Sequence, residues 1–338
     1  MRDPQFLRPH IFSSAVNALV TVVVRSLGRP SLGAALASVA RQTYREIEVV
    51  VVDASGGKHP LLDYPCGRFP LRLVAGTKPL NRPEAANRGL DHARGAWILF
   101  LDDDDFFDSH HIAKLVMTAT GHQTAVAYAG TRLLDERDQT VGVLNERYSR
   151  LKLCAGNYLQ IGAVLFHRSL LQKGCRFDEH MLLYQDWDFW LQLSEHSHFA
   201  HCADVTNNWH VHAGHSGAGT GPNADPALQA EYTRRVKGKW QQLQDRLIDF
   251  VHNTAHRSKK QITQGRPDRA MNWLRRAMMV TPNDPTLTNL LGLAMCSAGD
   301  LTGALHALGA AYELLPGNDA ILRNLTQVEK LRRTRRAK

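Results

Sequence analysis

No apolar run in the chain approaches the eighteen or so residues that a membrane-spanning helix needs, so no segment reads as a transmembrane span. The opening stretch, MRDPQFLRPHIF, lacks the basic-then-apolar layout of a secretory leader. Cysteine is scarce: Cys66, Cys154, Cys175, Cys202 and Cys296 are odd in number and scattered, with no CxxC or other metal spacing, which argues against a disulfide framework and a thiolate zinc site. Reduced thiols without an export signal predict a cytoplasmic protein. What the chain has in excess is positive charge, a formal +9 over 338 residues. That calls for an anionic partner, whether a nucleotide diphosphate, an anionic lipid surface or nucleic acid. Part of the excess is the terminal KLRRTRRAK, a solvated helix end on the plain reading and a peripheral contact with the inner face of a membrane on the sharper one. The length suits two domains, or one large domain with an appendage.

Ordered elements begin with LVTVVVRS from Leu19, a β-branched strand signal, followed by a turn at Gly28-Arg29-Pro30-Ser31 and a helix over Leu32 to Gln42. A second strand runs from Ile47 to Val52 and ends in Asp53. Strand, helix and strand together predict a parallel βαβ unit. A third strand at Leu71 to Ala75 and a loop carrying Arg82 lead to a helix over Pro83 to Arg94. Then comes WILFLDDDDFFD, Trp97 to Asp108. Its apolar half does not alternate, so both faces of that strand should be covered. Asp102, Asp103, Asp104 and Asp105 stand at its end. Four adjacent carboxylates repel one another, and a divalent cation with hard oxygen ligands relieves the repulsion; the bland alternative is a solvated acidic turn capping a helix that starts near Ser109. Arg25, Asp53, Arg82 and the acid run all fall at or beyond the C-terminal ends of parallel strands, where open α/β sheets bind ligands. A nucleotide there finds a carboxylate for base or ribose, guanidinium for phosphate and a metal bridging the diphosphate. Taken singly, Asp53 reads equally well as a turn-stabilising Asx residue and Arg82 as a surface ion-pair partner.

The segments VVVRSLGRPSLGAALASVARQTYREIEVVVVDAS and NRPEAANRGLDHARGAWILFLDDDD resemble the family 2 glycosyltransferases. The likeness continues through Val126-Ala127-Tyr128, Asn157-Tyr158-Leu159, Gly162 to Arg168 and Phe177-Asp178-Glu179 to Tyr184-Gln185-Asp186-Trp187-Asp188-Phe189-Trp190, and spans residues 18 to 215. It implies an α/β chain with the GT-A nucleotide-diphospho-sugar transferase fold, a Rossmann-like mixed sheet. It also implies inverting transfer of a sugar from a nucleotide-sugar donor, a UDP-sugar in the first instance, to an acceptor hydroxyl with Mn2+ or Mg2+. In the family pattern the Asp-x-Asp motif falls on Asp102 and Asp104, with Asp104 the direct metal ligand and Asp103 or Asp102 facing the ribose. The uracil-side carboxylate falls on Asp53, the basic loop residue on Arg82, and the general base on Asp186. Ala54 stands where a second Asp commonly follows, Gln185 where Glu commonly precedes the base, and Ser109 where Pro is usual. The acceptor implied is a saccharide or glycolipid, in polysaccharide or glycolipid assembly, and no nucleic-acid partner is expected.

Within YQDWDFW, a helix from about Asp186 puts Trp187 and Trp190 on one face and Asp186 at the dipole's positive end, which also suits a plain N-cap. Asp188 is the runner-up for the base but is expected to be structural, and Asp105 is expected to cap the helix after the acid run. His196, His198, His201, His210, His212 and His215 precede a glycine-rich stretch, 216–221, that reads as a lid. Their spacing fits no zinc template and a mixture of core and surface roles suits them better; by analogy with glycosyltransferases in which a late His completes the metal shell, His212 is a third metal-ligand candidate.

The last third repeats itself. Gly265, Ala270, Ala277 and Pro282 recur thirty-four residues on as Gly299, Ala304, Ala311 and Pro316, the period of tetratricopeptide helix pairs. Asn283-Asp284 aligns with Asn318-Asp319 only if Gly317 is an insertion. The layout expected is an extension over 1–17, a GT-A domain over 18–222, a linking helix over 223–250 and an all-α helical-repeat appendage over 251–338 with a basic tail. Such repeats bind a protein partner, self-associate or simply stabilise the domain beside them. Two functions from different classes therefore stand: a metal-dependent glycosyltransferase, and a catalytically silent scaffold of the same fold, which Ala54 and Gln185 would suit.

Overall fold

A strand with no polar alternation must be covered on both faces, and the sheet is built around such strands. The computed structural model describes residues 17–62, 66–211 and 225–336. The chain divides into two compact units, Met1–Glu146 with Gly156–Lys239, and Arg147–Ala155 with Trp240–Lys338.

The first unit opens with β1 (Val20–Ser26), α1 (Leu32–Ala40), β2 (Ile47–Asp53), β3 (Leu71–Val74), α2 (Arg82–His92) and β4 (Trp97–Asp102). These four strands are parallel in the order β3-β2-β1-β4, and every residue of β1 and β2 is buried. The chain then adds β5 (Phe106–Phe107), α3 (His111–Gly121), β6 (Val126–Leu134), β7 (Thr140–Leu144), β8 (Val164–His167), α5 (Gln185–His196) and β9 (Phe199–His210), with the short α4 (Arg150–Ala155) between β7 and β8. β8 joins β4 and β6 in antiparallel fashion, β9 runs parallel to β6, and β5 and β7 close the mixed sheet as antiparallel neighbours of β9 and β6. The expected βαβ start and the mixed sheet are thus present.

Register places the candidate residues. Arg25 stands opposite Asp102 and Ser26 opposite Asp53, so three strand ends meet on one edge. The helix that delivers Arg82 is fixed by a capping box, in which Asn81 accepts from the Glu84 amide and Glu84 accepts from the Asn81 amide. Arg82 is therefore the first residue of α2 and not a loop residue, the helix starting one residue before the expected Pro83. α2 lies so close on β1 that a Cβ at Gly89 would sit 2.2 Å from Val23 Cγ1.

The second unit is helical: the later part of α6 (Pro226–Thr263), then α7 (Pro267–Val280), α8 (Pro285–Ser297), α9 (Leu301–Leu314) and α10 (Asp319–Arg336). Val251 and Ala255 of α6, Ala270, Leu274 and Ala277 of α7, and Leu287, Leu290 and Ala294 of α8 form one core, in which alanines let the helices approach closely. The thirty-four-residue spacing is seen in backbone conformation as well as in residue type: Gly265 and Gly299 both have positive φ, as do Asn283 and Gly317. Asp284 and Asn318 then cap α8 and α10 through the Leu287 and Ile321 amides. The structure corrects the expected one-residue slip. Gly317 takes the left-handed role of Asn283 and Asn318 the capping role of Asp284, so the period runs through the turn without an insertion.

Candidate active site

The four carboxylates at the end of β4 have four different surroundings. Asp102 takes both Nε and Nη2 of Arg25 on its Oδ1, at 2.9 and 2.5 Å, leaving its second oxygen outside that pair. Asp103 is buried, and its Oδ2 accepts from the Ser26 hydroxyl at 2.9 Å and the Leu27 amide at 3.0 Å, which ties it into the β1–α1 turn. Asp104 meets Arg29 Nη1 at 2.8 Å. Asp105 does not cap α3 as expected. It is buried and accepts from Gln160 Nε2 at 3.1 Å and the His210 amide at 3.0 Å, while α3 begins further on, at His111. Burial, then the charge of Asp102, raises the Asp104 carboxyl above the usual range. Burial and the charges of Asp102 and Asp104 drive Asp105 well above it.

Asp53 spends its carboxylate on its own loop. Oδ1 accepts from the amide and hydroxyl of Ser55 at 2.7 and 2.6 Å, and Oδ2 from the Gly57 amide at 2.9 Å. Burial works to raise its pKa, but these hydrogen bonds outweigh burial and hold it low.

Arg25, Arg82, Asp102 and Asp186, from four separate elements, line one open cavity of about 210 Å³. Asn157, Gln160, Tyr184 and Trp209 complete much of its wall. Arg25 is buried, and its Nη1 has no hydrogen-bond partner among the described residues, an orphaned donor that an anion would satisfy. Burial lowers the Arg82 pKa against the opposing pull of Asp102, yet a guanidinium stays charged at any working pH. Among the described residues no ion pair or hydrogen bond engages Arg82.

Asp186 enters at the second residue of α5. The helix starts from Tyr184, a non-glycine residue at φ 56°, and such strain costs about 1–3 kcal/mol and clusters at functional sites. Asp186 accepts from Asn157 Nδ2 at 3.0 Å and from the Trp187 amide at 2.8 Å. Burial raises its pKa, and these two donors only partly restrain the rise. Two residues on, Asp188 is fully buried and neutralised by Lys239 Nζ at 3.0 Å, with Gln192 also donating to it at 2.9 Å.

Asp102 and Asp104 offer hard oxygens and mutual repulsion, the donor chemistry that Mg2+ or Mn2+ requires. Among the described residues no cluster of three metal-ligating side chains exists. Two carboxylates fit a cation that completes its shell from a diphosphate and water, as Mg2+ commonly does. His212 and the 216–221 stretch lie outside the described residues.

Sequence reading missed Gln160, Trp209 and His210 as parts of this region. Gln160 bridges Asp105 and Asn207, while His210 Nδ1 lies 2.6 Å from the Asp104 carbonyl oxygen. The signal was weak: β9 is brought to the acid run by long-range pairing, Phe106 with Asn208 and Phe107 with Asn207.

Residues 20–168 match the family model described as Glycosyl transferase family 2. Among curated relatives, the uncharacterized glycosyltransferase YwdF of Bacillus subtilis (strain 168) is 25% identical over 184 residues, 52% of this chain and 68% of its own. An uncharacterized glycosyltransferase of Haemophilus influenzae (strain ATCC 51907 / DSM 11121 / KW20 / Rd) is 30% identical over 99 residues, 29% of this chain and 33% of its own. Among solved structures, S. aureus TarS 1–349 in complex with UDP-GlcNAc aligns with a TM-score of 0.53 at 14% identity, covering 94% of this chain and 92% of that one. At that identity the likeness is one of fold: a GT-A mixed sheet followed by C-terminal helices. The sequence matches support a glycosyl-transfer role. The family match ends before α5 and does not reach Asp186.

Proposed function

We propose that this protein is an inverting glycosyltransferase that moves a sugar from a nucleotide-diphosphate sugar, a UDP-sugar in the first instance, to a saccharide or glycolipid hydroxyl. The observation that carries the reading is the single cavity shared by Arg25, Arg82, Asp102 and Asp186. Its two guanidiniums suit a diphosphate, and its carboxylate at the start of α5 suits proton removal. The UDP-GlcNAc complex of TarS, on the same fold, supports a nucleotide-sugar donor.

An acceptor hydroxyl is a weak nucleophile at neutral pH. Asp186, held by two neutral donors and raised by burial, takes the hydroxyl proton as the anomeric carbon is attacked from the side opposite the leaving diphosphate. Attack from that side inverts the anomeric centre. Arg82 and the orphaned Nη1 of Arg25 bind the diphosphate and hold the donor in line. Asp102 and Asp104 would hold Mn2+ or Mg2+, which supplies Lewis-acid neutralisation of the leaving group. Asp103 and Asp53 serve the donor indirectly, by fixing the β1–α1 turn and the Ser55–Gly57 loop at the rim. Trp209 and Tyr184 offer aromatic faces to sugar rings. The five cysteines are all free thiols, in keeping with a cytoplasmic site of action. We read the helical unit as tetratricopeptide-like and suited to a protein partner or self-association.

Thermal melts with UDP, with and without Mn2+, test the reading. UDP with Mn2+ is expected to raise the midpoint by mass action and more than UDP alone. No shift with any nucleoside diphosphate would leave the silent-scaffold reading standing.

A further inference from the structure

The basic excess is not spread evenly. The unit made of Arg147–Ala155 and Trp240–Lys338 carries 18 of the chain's 41 lysines and arginines but only 8 of its 32 acidic residues; the sheet-bearing unit holds 23 against 24. A nucleotide site in the balanced unit accounts for none of that asymmetry.

α7 shows where part of it is displayed. Its inward face, Ala270, Leu274 and Ala277, packs into the helical core. Arg269, Asn272, Trp273, Arg276 and Met279, at helical spacing, share the outward face, and the helix's one acidic residue, Asp268, stands at the edge of it in the first turn. Trp273 is 40% exposed and Met279 is 62% exposed, while both arginines are exposed beside them. An exposed Trp and Met between guanidiniums is the composition of a helix that lies in a bilayer interface: the ring and thioether enter the headgroup boundary while the arginines meet phosphates. α10 repeats the pattern in its last turns, where Lys330, Arg333 and Arg335 are exposed around Leu331, itself 46% exposed.

We propose that the helical unit docks on an anionic phospholipid surface through the Arg269–Trp273–Arg276–Met279 face of α7, with the basic end of α10 adding electrostatic attraction. A phosphodiester backbone would satisfy the arginines and could stack on Trp273, but it would leave Met279 and Leu331 in water; a lipid surface accepts all of them. No helix among the described residues is long and apolar enough to cross a membrane, so the contact is one of lying on the surface. The inference is independent of the chemistry proposed above, because its test reads binding and not turnover.

The test is co-sedimentation of the full chain with vesicles of phosphatidylcholine alone or mixed with phosphatidylglycerol, at low and high salt. Binding is expected to the mixed vesicles only, and to weaken as salt rises. Arg269→Glu and Arg276→Glu are each expected to lower partition about fivefold or more, and Trp273→Ser to lower it about fivefold or more by removing apolar insertion. All three sites are exposed, so melts matching the wild type confirm that the variants are folded. The proposal is overturned by equal binding to neutral vesicles, by no binding to either, or by variants that bind like the wild type. It is also overturned if a duplex oligonucleotide is the better ligand and needs the two arginines but not Trp273.

Discussion

The end of β4 and the start of α5 each present buried carboxylates within a few residues of one another, and they are held in opposite ways. At the end of β4, Asp102 and Asp104 each face an arginine, and Asp103 is spent on the β1–α1 turn. At the start of α5, Lys239 neutralises Asp188, whereas among the described residues the hydrogen bonds to Asp186 come from an amide side chain and a backbone N–H, with the Arg25 charge acting on it without a hydrogen bond. A carboxylate paired with a cation holds shape or binds a charged ligand. One held by neutral donors and raised by burial is ready to take a proton. The comparison thus assigns donor binding to one region and proton transfer to the other, and each assignment can be broken separately.

The largest structural effect falls on the α5 side. Lys239→Met leaves a fully buried Asp188 charge uncompensated, which costs about 3 kcal/mol, the low end for a buried pair because Lys239 is itself 37% exposed. Chemical denaturation would measure it, and adding Asp188→Asn should recover most of the loss. Close to it in size is a pH effect in the core beside them. His111 is fully buried between Thr206 and the Gly162 carbonyl, and burial holds its imidazole down at about 4. The folded state therefore resists protonating it. Its contribution is full above the unfolded value near 6.5 and is lost as pH falls toward 4, a change of roughly 3 kcal/mol. Denaturation midpoints across that window should show the slope, and His111→Gln should flatten it.

Smaller effects sharpen the division of labour. Arg82→Gln removes the cavity guanidinium to which no described residue makes a hydrogen bond or ion pair, and nucleotide binding by calorimetry should weaken by about 1.5–3 kcal/mol. Asn157→Ala removes a donor to ionised Asp186 and so raises its pKa further. Turnover should fall a few-fold, and the acid limb of its pH profile should move to higher pH. A profile that stays in place would detach Asn157 from the base.

Much of the sheet was legible because its signals are local. The unbroken run Val20 to Val24 and the run Trp97 to Leu101 could only be buried strands, and Asp102 had to follow at an open edge. Side-chain partnerships were not legible, since they are made across distant segments. Nothing near Asp103 announces that Ser26 and Leu27 occupy its oxygen, and nothing in β9 marks His210 as the neighbour of Asp104. Asp53 is the instructive case. Its position suited a base contact and an Asx turn equally, and the structure shows the turn bonds to Ser55 and Gly57, which do not decide the base contact. In the helical unit the period was visible in Gly265 and Gly299, but residue types hid the equivalence of Asn283 and Gly317 that the left-handed backbone reveals.

The central claim is that the two regions divide binding from chemistry, and one paired measurement tests it most directly. UDP affinity with Mn2+ and sugar-transfer turnover are compared for Asp104→Asn and Asp186→Asn. The account predicts that Asp104→Asn loses metal-dependent nucleotide binding, while Asp186→Asn binds as the wild type does and turns over about 10²–10⁴-fold more slowly. Near-normal transfer by Asp186→Asn, or a loss of binding equal to that of Asp104→Asn, would contradict it.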